Sequence, residues 1–426
     1  MITLGCSKNL VDSEKILGNL PAGQFTIQHN NHKPTDILII NTCGFIHDAK
    51  EESIDTILEA VELQKKGMAG EIIVTGCLSQ RYKTILQKEI PEVAAWFGAR
   101  QPDDLLAYLI QNHVSSPFRR HLTTPSHYAY LKISEGCDRT CSFCAIPEIR
   151  GKHISAPMDH LLEEASMLAN KGVKELILVA QDLSYYGIDS HGKHMLGQLL
   201  EKLCLINGIQ WIRLHYAYPH QFPDDVISQM AEQEKICKYL DIPVQHINDD
   251  ILKSMRRGHT KSGTMHFLSK LRENVPGIAL RTTLMVGYPG ETEQAFSELV
   301  DFVNNIRFER LGVFTYSPEE GTRAHTLRDN VPEHIKLERQ ELIMTMQSEI
   351  SYEKNLSLIG QTMKVIIDAE EETRFVARSQ YDSPEVDNEV LIEKPAPFKM
   401  GRLVDVKITG AAEFDLYAHP VGYRNR

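Results

Sequence analysis

The sequence predicts an α/β chain in three parts: an amino-terminal doubly wound parallel-sheet domain over residues 1–115, a central partial (β/α)6 barrel over 123–358, and a small OB-like all-β barrel over 359–426. Three observations predict it. A length of 426 residues is too great for one ordinary domain of about 150. In the first hundred residues, apolar runs ending in a cysteine recur at a spacing of one strand plus one helix. Further on, strand-like and helix-like stretches alternate six times before giving way to short strands alone.

The first part repeats one plan. Ile2-Thr3-Leu4-Gly5 leads to Cys6, Asp36 to Thr42 leads to Cys43, and Glu71 to Gly76 leads to Cys77. These runs are apolar without alternation, as expected of parallel strands covered on both faces. Cysteine separations of 37 and 34 residues fit one βαβ unit each. Between them, Ile54, Ile57, Leu58 and Val61 in Ser53 to Leu63 have helical spacing.

Six strands are predicted for the second part: Tyr128–Ile133, Glu175–Ala180, Trp211–His215, Tyr239–Val244, Ala279–Val286 and Leu311–Tyr316. Helix-like stretches such as His160 to Asn170 and Phe267 to Glu273 separate them, so the chemistry is expected at the carboxyl ends of the strands. A charged amphipathic stretch from Pro332 to about Leu358 predicts a long connecting helix. The third part has five short runs, Thr362–Ile367, Arg374–Arg378, Glu389–Ile392, Leu403–Thr409 and Asp415–Ala418, parted by turn formers such as Gly401, Gly410 and Ser383-Pro384.

Composition narrows the function classes. With 42% hydrophobic and 24% charged residues the chain can bury large cores. A net charge of −11 argues against broad non-specific binding of nucleic acid and favours a basic partner. No apolar run approaches the roughly 20 residues of a membrane span, and Met1 leads into a strand rather than a basic leader, so no membrane and a cytoplasmic location are expected. Eight cysteines are too few for a disulfide scaffold and turn attention to metal or redox chemistry.

Cys137, Cys141 and Cys144 form a Cys-x3-Cys-x2-Cys run in the loop after the first barrel strand. Soft thiolates on one loop can wrap an iron–sulfur cluster, and three of them would leave one iron of a four-iron cluster open, a catalytic rather than a storage arrangement. The same run also fits a zinc knuckle with a distant fourth ligand, or unligated thiols. Cys6, Cys43 and Cys77 end parallel strands, so they are expected to converge beyond the carboxyl edge of the sheet as a second three-thiol set. Each lies beside a glycine (Gly5, Gly44, Gly76), which would let backbone approach a bulky inorganic group. Three buried cysteines coinciding by chance is the alternative. Cys204 and Cys237 read as core or surface thiols.

Weaker signals occupy the barrel strand ends. Gly287-Tyr288-Pro289-Gly290-Glu291-Thr292 follows a strand and opens a helix; it fits either a cradle for a small polar cofactor, through Gly287, Gly290 and Glu291, or a plain turn. Gln181, Asp182, Asp241 and Gln245 are polar residues at or near strand ends, where polar groups face a barrel mouth.

Taken together these residues resemble a known family. Cys137 to Cys144 followed by Ala145-Ile146-Pro147 and Arg150-Gly151 is similar to the radical S-adenosylmethionine signature of the methylthiotransferases. Leu4-Gly5-Cys6-Ser7-Lys8-Asn9, Asn41-Thr42-Cys43-Gly44-Phe45 and Thr75-Gly76-Cys77-Leu78 resemble that family's amino-terminal cluster motifs. The resemblance spans nearly the whole chain and implies a radical SAM barrel in the centre and a TRAM domain at the carboxyl end. Asn9 to Glu14, Leu214-His215-Tyr216 with Tyr218-Pro219, and Pro384-Glu385-Val386-Asp387 resemble the branch that modifies an aspartate of small-subunit ribosomal protein twelve, rather than the sister branch that modifies a tRNA adenosine. Charge agrees: from Gly360 to Arg426 nine basic residues face twelve acidic ones, a balance of −3 that suits a basic ribosomal protein better than tRNA.

What the resemblance implies is a transferase with two 4Fe–4S clusters and S-adenosylmethionine. One cluster, on Cys137, Cys141 and Cys144, would bind S-adenosylmethionine, with Gln181, Asp182, Asp241, Gln245, Gly287, Gly290 and Glu291 as candidate contacts. An external low-potential electron donor would start the cleavage. The other cluster, on Cys6, Cys43 and Cys77, would carry the sulfur given to the β-carbon of the aspartate, which makes Cys43 a candidate catalytic position. The competing readings are a tRNA methylthiotransferase, a radical enzyme whose second cluster only passes electrons, and a non-catalytic iron–sulfur protein that binds ribosomes or senses redox state. Two departures stand out: only five residues precede Cys6, so the first strand is expected to be short, and Ala156 stands where the family often has a basic residue.

Overall fold

The computed structural model describes residues 1–421 except His32, 111–114 and Pro397, so the last five residues of the predicted third domain lie outside the described residues. At the amino end, strands β1 (Ile2–Thr3), β2 (Thr35–Thr42), β3 (Ala69–Gly76) and β4 (Ala95–Trp96) pair in that order, all parallel. β4 is two residues long and so has no periodic signature in the sequence. Helices α1 (Ser7–Asn19), α2 (His47–Lys65), α3 (Cys77–Glu89) and α4 (Pro102–Leu109) cover both faces. Leu38, Ile40, Ile72 and Val74 pack against Ile57 and Val61 of α2 and Leu78 and Leu86 of α3. Ile39 and Ile73 point the other way, to Ile16 of α1 and Leu105 and Leu106 of α4. That double cover is why the strands read as unbroken apolar runs.

The central sheet is six parallel strands in the spatial order Arg310–Thr315, Ala279–Val286, Ile236–Asp241, Trp211–Leu214, Glu175–Val179 and Tyr128–Lys132, a wound but open barrel. Its outer face buries Leu131, Leu178, Leu214 and Leu240 under helix residues such as Leu161, Leu199 and Leu271. The fourth strand lies three residues earlier than Tyr239–Val244. Pro243 has no N–H for the ladder, so regular pairing stops at Asp241; the apolar Ile242 and Val244 are buried in the outer core, and the chain meets the neighbouring strand again only at an isolated bridge from Gln245 to Leu284.

The concave face is filled by the two flanking domains. Tyr128, Tyr130, Ile177 and Val179 meet Leu10 and Val11 of α1. Trp211, Cys237, Tyr239 and Ala279 meet Ile366, Tyr381 and Leu403 of the carboxyl-terminal part. That part is a closed five-stranded barrel of Thr362–Glu370, Arg374–Ser379, Glu389–Glu393, Asp415–Pro420 and Leu403–Ala411. The helix Glu333–Leu356, begun by Pro332, joins it to the centre and buries Ile343 and Ile350 in the main core. Among the described residues no helix is long and apolar enough to cross a membrane.

Charges hold this interface. Glu175 lies fully buried between Arg213 (2.7 Å) and Arg378 (2.7 Å), and Arg378 also bonds Asp368 (2.6 Å). Arg281 bonds Asp387 (3.2 Å), which also accepts from Tyr239 Oη (2.8 Å), and Arg310 pairs with Asp382. Burial opposes charge on Glu175, but Arg378 and Arg213 outweigh it and lower its pKa from 4.5 to about 2. The Glu175 charge therefore stabilises the fold above pH 4.5, and this contribution fades as pH falls from 4.5 toward about 2. Glu175→Gln leaves two buried guanidinium groups short of a partner and is expected to cost about 3–5 kcal/mol. Thermal unfolding should show this loss at pH 7 together with a shallower acid limb; an unchanged melting temperature would count against it.

Candidate functional site

Strand register brings the amino-terminal cysteines together. β2 and β3 stay paired from Thr35–Ala69 to Thr42–Gly76, so Cys43 and Cys77 leave the sheet at one level, and β1 delivers Cys6 beside them. Cys6 caps α1, and Cys77 is the first residue of α3. Helix amino termini there favour thiolates. Burial raises the Cys43 thiol, opposed by a bond from the Phe45 amide and helped by the neighbouring Cys6 and Cys77, to about 12. Burial also raises Cys77, against the charge of Arg150. On Cys6 burial is outweighed by Lys8, Arg150 and the amides of Asn9 and Lys8, so its pKa lies below the ordinary value.

The adjacent glycines sit where the three loops approach one another closely. A Cβ on Gly5 would come within 2.7 Å of Cys43 Cβ and 2.9 Å of its Sγ, and one on Gly44 would meet Leu78 at 2.7 Å. Gly76, at φ +102°, faces Thr42 O at 2.4 Å from such an atom. Glycine is needed here so that the three loops can pack on one another.

The second set is fixed by residues from several strand ends. Arg139 N donates to Cys137 Sγ (3.4 Å), and Arg257 Nη1 donates to Cys141 Sγ (3.3 Å). The Ser142 hydroxyl pairs with Tyr288 Oη (2.8 Å), and Ser142 N donates to Met255 O (3.0 Å). Burial raises Cys137 to about 11 and Cys144 to about 12. Among the described residues no three His, Cys, Asp or Glu side chains converge closely enough for a single metal ion. Thiolates of a multi-iron cluster bind separate irons and need not converge on one point.

Packing and hydrogen bonds link the two cysteine loops. Cys77 packs against Ala145 and Ile149, one and five residues past Cys144. Arg150, on the same short helix, bonds Asp12 Oδ2 (2.6 Å) and Asn9 Oδ1. Asn9 in turn donates to Leu4 O (3.0 Å) and Thr42 O (3.1 Å) and accepts from Cys77 Sγ (3.6 Å). Asn9 and Arg150 lie in motifs of the sequence, but their bridging role depends on α1 lying in the barrel mouth and is invisible in one dimension.

The candidate cofactor contacts divide. Asp182 is buried, binds Arg139 (2.9 Å) and caps the turn Leu183–Tyr185 through Ser184 N. Arg139 stacks on Tyr218 at 4.1 Å, with Arg257 stacked at 4.4 Å on the same ring. Gln181 Oε1 is buried with no partner among the described residues, an open acceptor. Gln245 has φ +70° and bridges to the fifth strand. Asp241 opens instead on a cavity of about 150 Å³ beside Cys6, walled also by Ser7, His215, Tyr216, Arg281 and Glu385. Burial raises the Asp241 pKa, against Arg281 at 3.1 Å. Gly287, Gly290 and Glu291 are engaged elsewhere. A Cβ on Gly287 would meet Lys336 at 2.2 Å, Gly290 N bonds Asn330 Oδ1 (2.7 Å), and buried Glu291 binds Arg339 (2.7 Å) and Gly287 N (2.9 Å). In this segment Tyr288 is the residue that reaches the cysteine loop. Cys204 and Cys237 are buried in core clusters away from both sets.

Known proteins share this arrangement. The radical SAM superfamily matches residues 131–303, the uncharacterised protein family UPF0004 matches 1–98, and the TRAM domain matches 359–421. A ribosomal protein uS12 methylthiotransferase RimO of Christiangramia forsetii is 53% identical over 99% of this chain and 94% of its own length. The protein of that description from Flavobacterium johnsoniae is 51% identical over 99% and 97%. Among solved structures, the radical S-adenosylmethionine methyltransferase TsrM of Kitasatospora setae, with cobalamin and a 4Fe–4S cluster bound, has the same fold at 13% identity, with a TM-score of 0.54 over 74% of this chain and 76% of that one.

Arg150→Met should loosen Asn9 and the Cys6, Cys43 and Cys77 set while sparing the contacts of Arg139 and Arg257. Reconstituted protein is then expected to lose up to about half of its iron, read by iron analysis and by the electron paramagnetic resonance of the reduced sample. Full iron content in this variant would contradict the bridging role.

Proposed function

This chain belongs to the ribosomal protein uS12 methylthiotransferase family, and from that premise we propose that it adds a methylthio group to the β-carbon of an aspartate in small-subunit ribosomal protein uS12. The observation that carries this reading is the junction of the two cysteine sets, where Ala145 and Ile149 pack on Cys77 and Arg150 ties them through Asn9. Sulfur insertion needs the radical source and the sulfur carrier to act on one carbon, and the junction between the two sets supports that reading. Residues 1–115 would carry the sulfur, 123–358 the radical chemistry, and 359–426 part of the substrate wall.

When bound, a 4Fe–4S cluster on Cys137, Cys141 and Cys144 together with S-adenosylmethionine supplies a deoxyadenosyl radical, and a cluster on Cys6, Cys43 and Cys77 supplies the sulfur. The rest is the work of the chain. The buried thiols must give up protons to bind iron, so loading is favoured by rising pH. Arg257 and the Arg139 amide hold the sulfurs of Cys141 and Cys137 by hydrogen bonds. Asp182 keeps Arg139 over Tyr218, and Gln181 offers an unfilled acceptor; with Gln245 they would orient S-adenosylmethionine. Gly287, Gly290 and Glu291 would act at a distance, by fixing the loop that carries Tyr288. An external low-potential donor in the cytoplasm would supply electrons, and the acidic third domain would receive a basic ribosomal protein.

Anaerobic reaction with S-adenosylmethionine, reductant and two competing substrates tests this: a peptide around the ribosomal aspartate, and a tRNA bearing the prenylated adenosine. Mass spectrometry should find the methylthio group on the peptide alone. Addition to tRNA alone would overturn the substrate, and absence of deoxyadenosine would overturn the chemistry. Cys141→Ala is expected to abolish deoxyadenosine formation, whereas Cys43→Ala should keep it and lose the methylthio product; thiolation surviving in either variant would refute these roles.

A further inference from the structure

A second tie between the cysteine sets shares no residue with the one through Asn9 and Arg150. Glu319 lies on the segment that follows the last strand of the central sheet and is 3% exposed. Its Oε2 takes Lys50 of α2 (2.8 Å) and Arg81 of α3 (3.0 Å) together. Lys50 stands in the first turn of the helix that follows Cys43, and Arg81 lies one turn past Cys77. Arg81 also donates to Gly44 O (2.9 Å), in the residue after Cys43, and to Glu320 O (2.7 Å).

The same segment also holds the other set. Ala324 N donates to Ser142 O (2.7 Å), between Cys141 and Cys144. Gly321, at φ +78°, lies so close to Glu148 that a Cβ there would come within 2.7 Å of its Oε2. Glu148 belongs to the short helix Ile146–Arg150 that follows Cys144. Thr322 Oγ1 donates to Glu319 O (2.7 Å) and closes the turn between these contacts. Residues 319–324 therefore reach both cysteine loops. The Glu319 carboxylate is only half used, because Oε1 is buried with no partner among the described residues. Leaving a buried acceptor unsatisfied costs stability. The tie is thus a poor way to strengthen the fold, whereas two charged bonds from separate helices to one oxygen fix a direction and a distance.

Resting on the methylthiotransfer reading above, we propose that Glu319 is a positioning residue for sulfur transfer, acting through Arg81 and Lys50 to hold the Cys6, Cys43 and Cys77 set at one distance from the Cys137–Cys144 loop. It touches none of the six cysteines, so each set keeps its own contacts when Glu319 is changed. Arg257 and the Arg139 amide still reach Cys141 and Cys137, and Asn9 still reaches Cys77. What is lost is the relation between the sets. A carbon radical made at one set then waits longer for sulfur held at the other, and misplacement of reacting groups by about 1 Å is enough to slow a step severely.

The test compares reconstituted wild type with Glu319→Gln by two readouts. In hydrogen exchange followed by mass spectrometry, residues 43–50 and 317–324 of Glu319→Gln should exchange about tenfold faster, the effect of one lost charged bond. In the peptide reaction, iron content and deoxyadenosine formation should match wild type, while deoxyadenosine released per methylthiolated peptide rises about tenfold. Arg81→Met should raise that ratio alike, and the double variant no further, since both changes cut one tie. An unchanged ratio in Glu319→Gln, with or without faster exchange, overturns the positioning role, as does a double variant in which the two effects add in full. If Glu319→Gln loads less iron, Lys50→Met decides: it leaves Arg81 in place and should raise the ratio about threefold, and a wild-type ratio there overturns the role. Wild type that forms deoxyadenosine but no methylthiolated peptide overturns the uS12 reading, while the exchange result still decides whether Glu319 holds the two loops together.

Discussion

An open six-stranded sheet has a concave face that something must cover, and in this protein that face is charged. Glu175, Arg213, Asp241, Arg281 and Arg310 all lie on it or at its edge, four of them in direct contact with the third domain or its loops. A closed barrel fills its centre with its own side chains. Here the filling is supplied by Leu10 and Val11 from one side and Ile366, Tyr381 and Leu403 from the other. Everything at the mouth of the barrel depends on this docking, because it sets α1, and with it Cys6, against the strand ends.

Ion pairs at that depth are costly to desolvate and give little net stability over an apolar filling. Their value lies in direction. A greasy interface would tolerate sliding of the small barrel, whereas Arg378 between Glu175 and Asp368, and Arg310 on Asp382, accept one placement. One placement is what the cavity requires, since Glu385 and Pro384 come from the third domain, Cys6 and Ser7 from the first, and Tyr216 and Asp241 from the centre.

The cysteine sets show the same logic at shorter range. Three cysteines spread over more than seventy residues meet because β1, β2 and β3 are parallel, adjacent and in register. The other three are local in sequence and need only a loop, yet that loop is held by Arg257, Tyr288 and Asp182 from distant strand ends. Of the polar residues singled out by position alone, Gln181 and Asp182 lie close to the cysteine loop. Glu291 instead ties its loop to Arg339 of the long helix. Being polar at a strand end says that a residue faces the mouth, and nothing about which partner claims it.

Local chemistry and periodicity suffice to read three regions, their parallel or closed-barrel character and the six thiols from the sequence. Apolar runs, glycines and cysteine spacing are consequences of bonds made within a few residues or one βαβ unit. The fourth barrel strand slips because Pro243 acts through a ladder partner, and β4 is too short to show a period. The roles of Asn9 and Arg150 were decided only by tertiary structure. Each depends on α1 entering a barrel mouth built more than a hundred residues later, and a charge is known to be buried, bridged or unpartnered only when every element packed around it is in place.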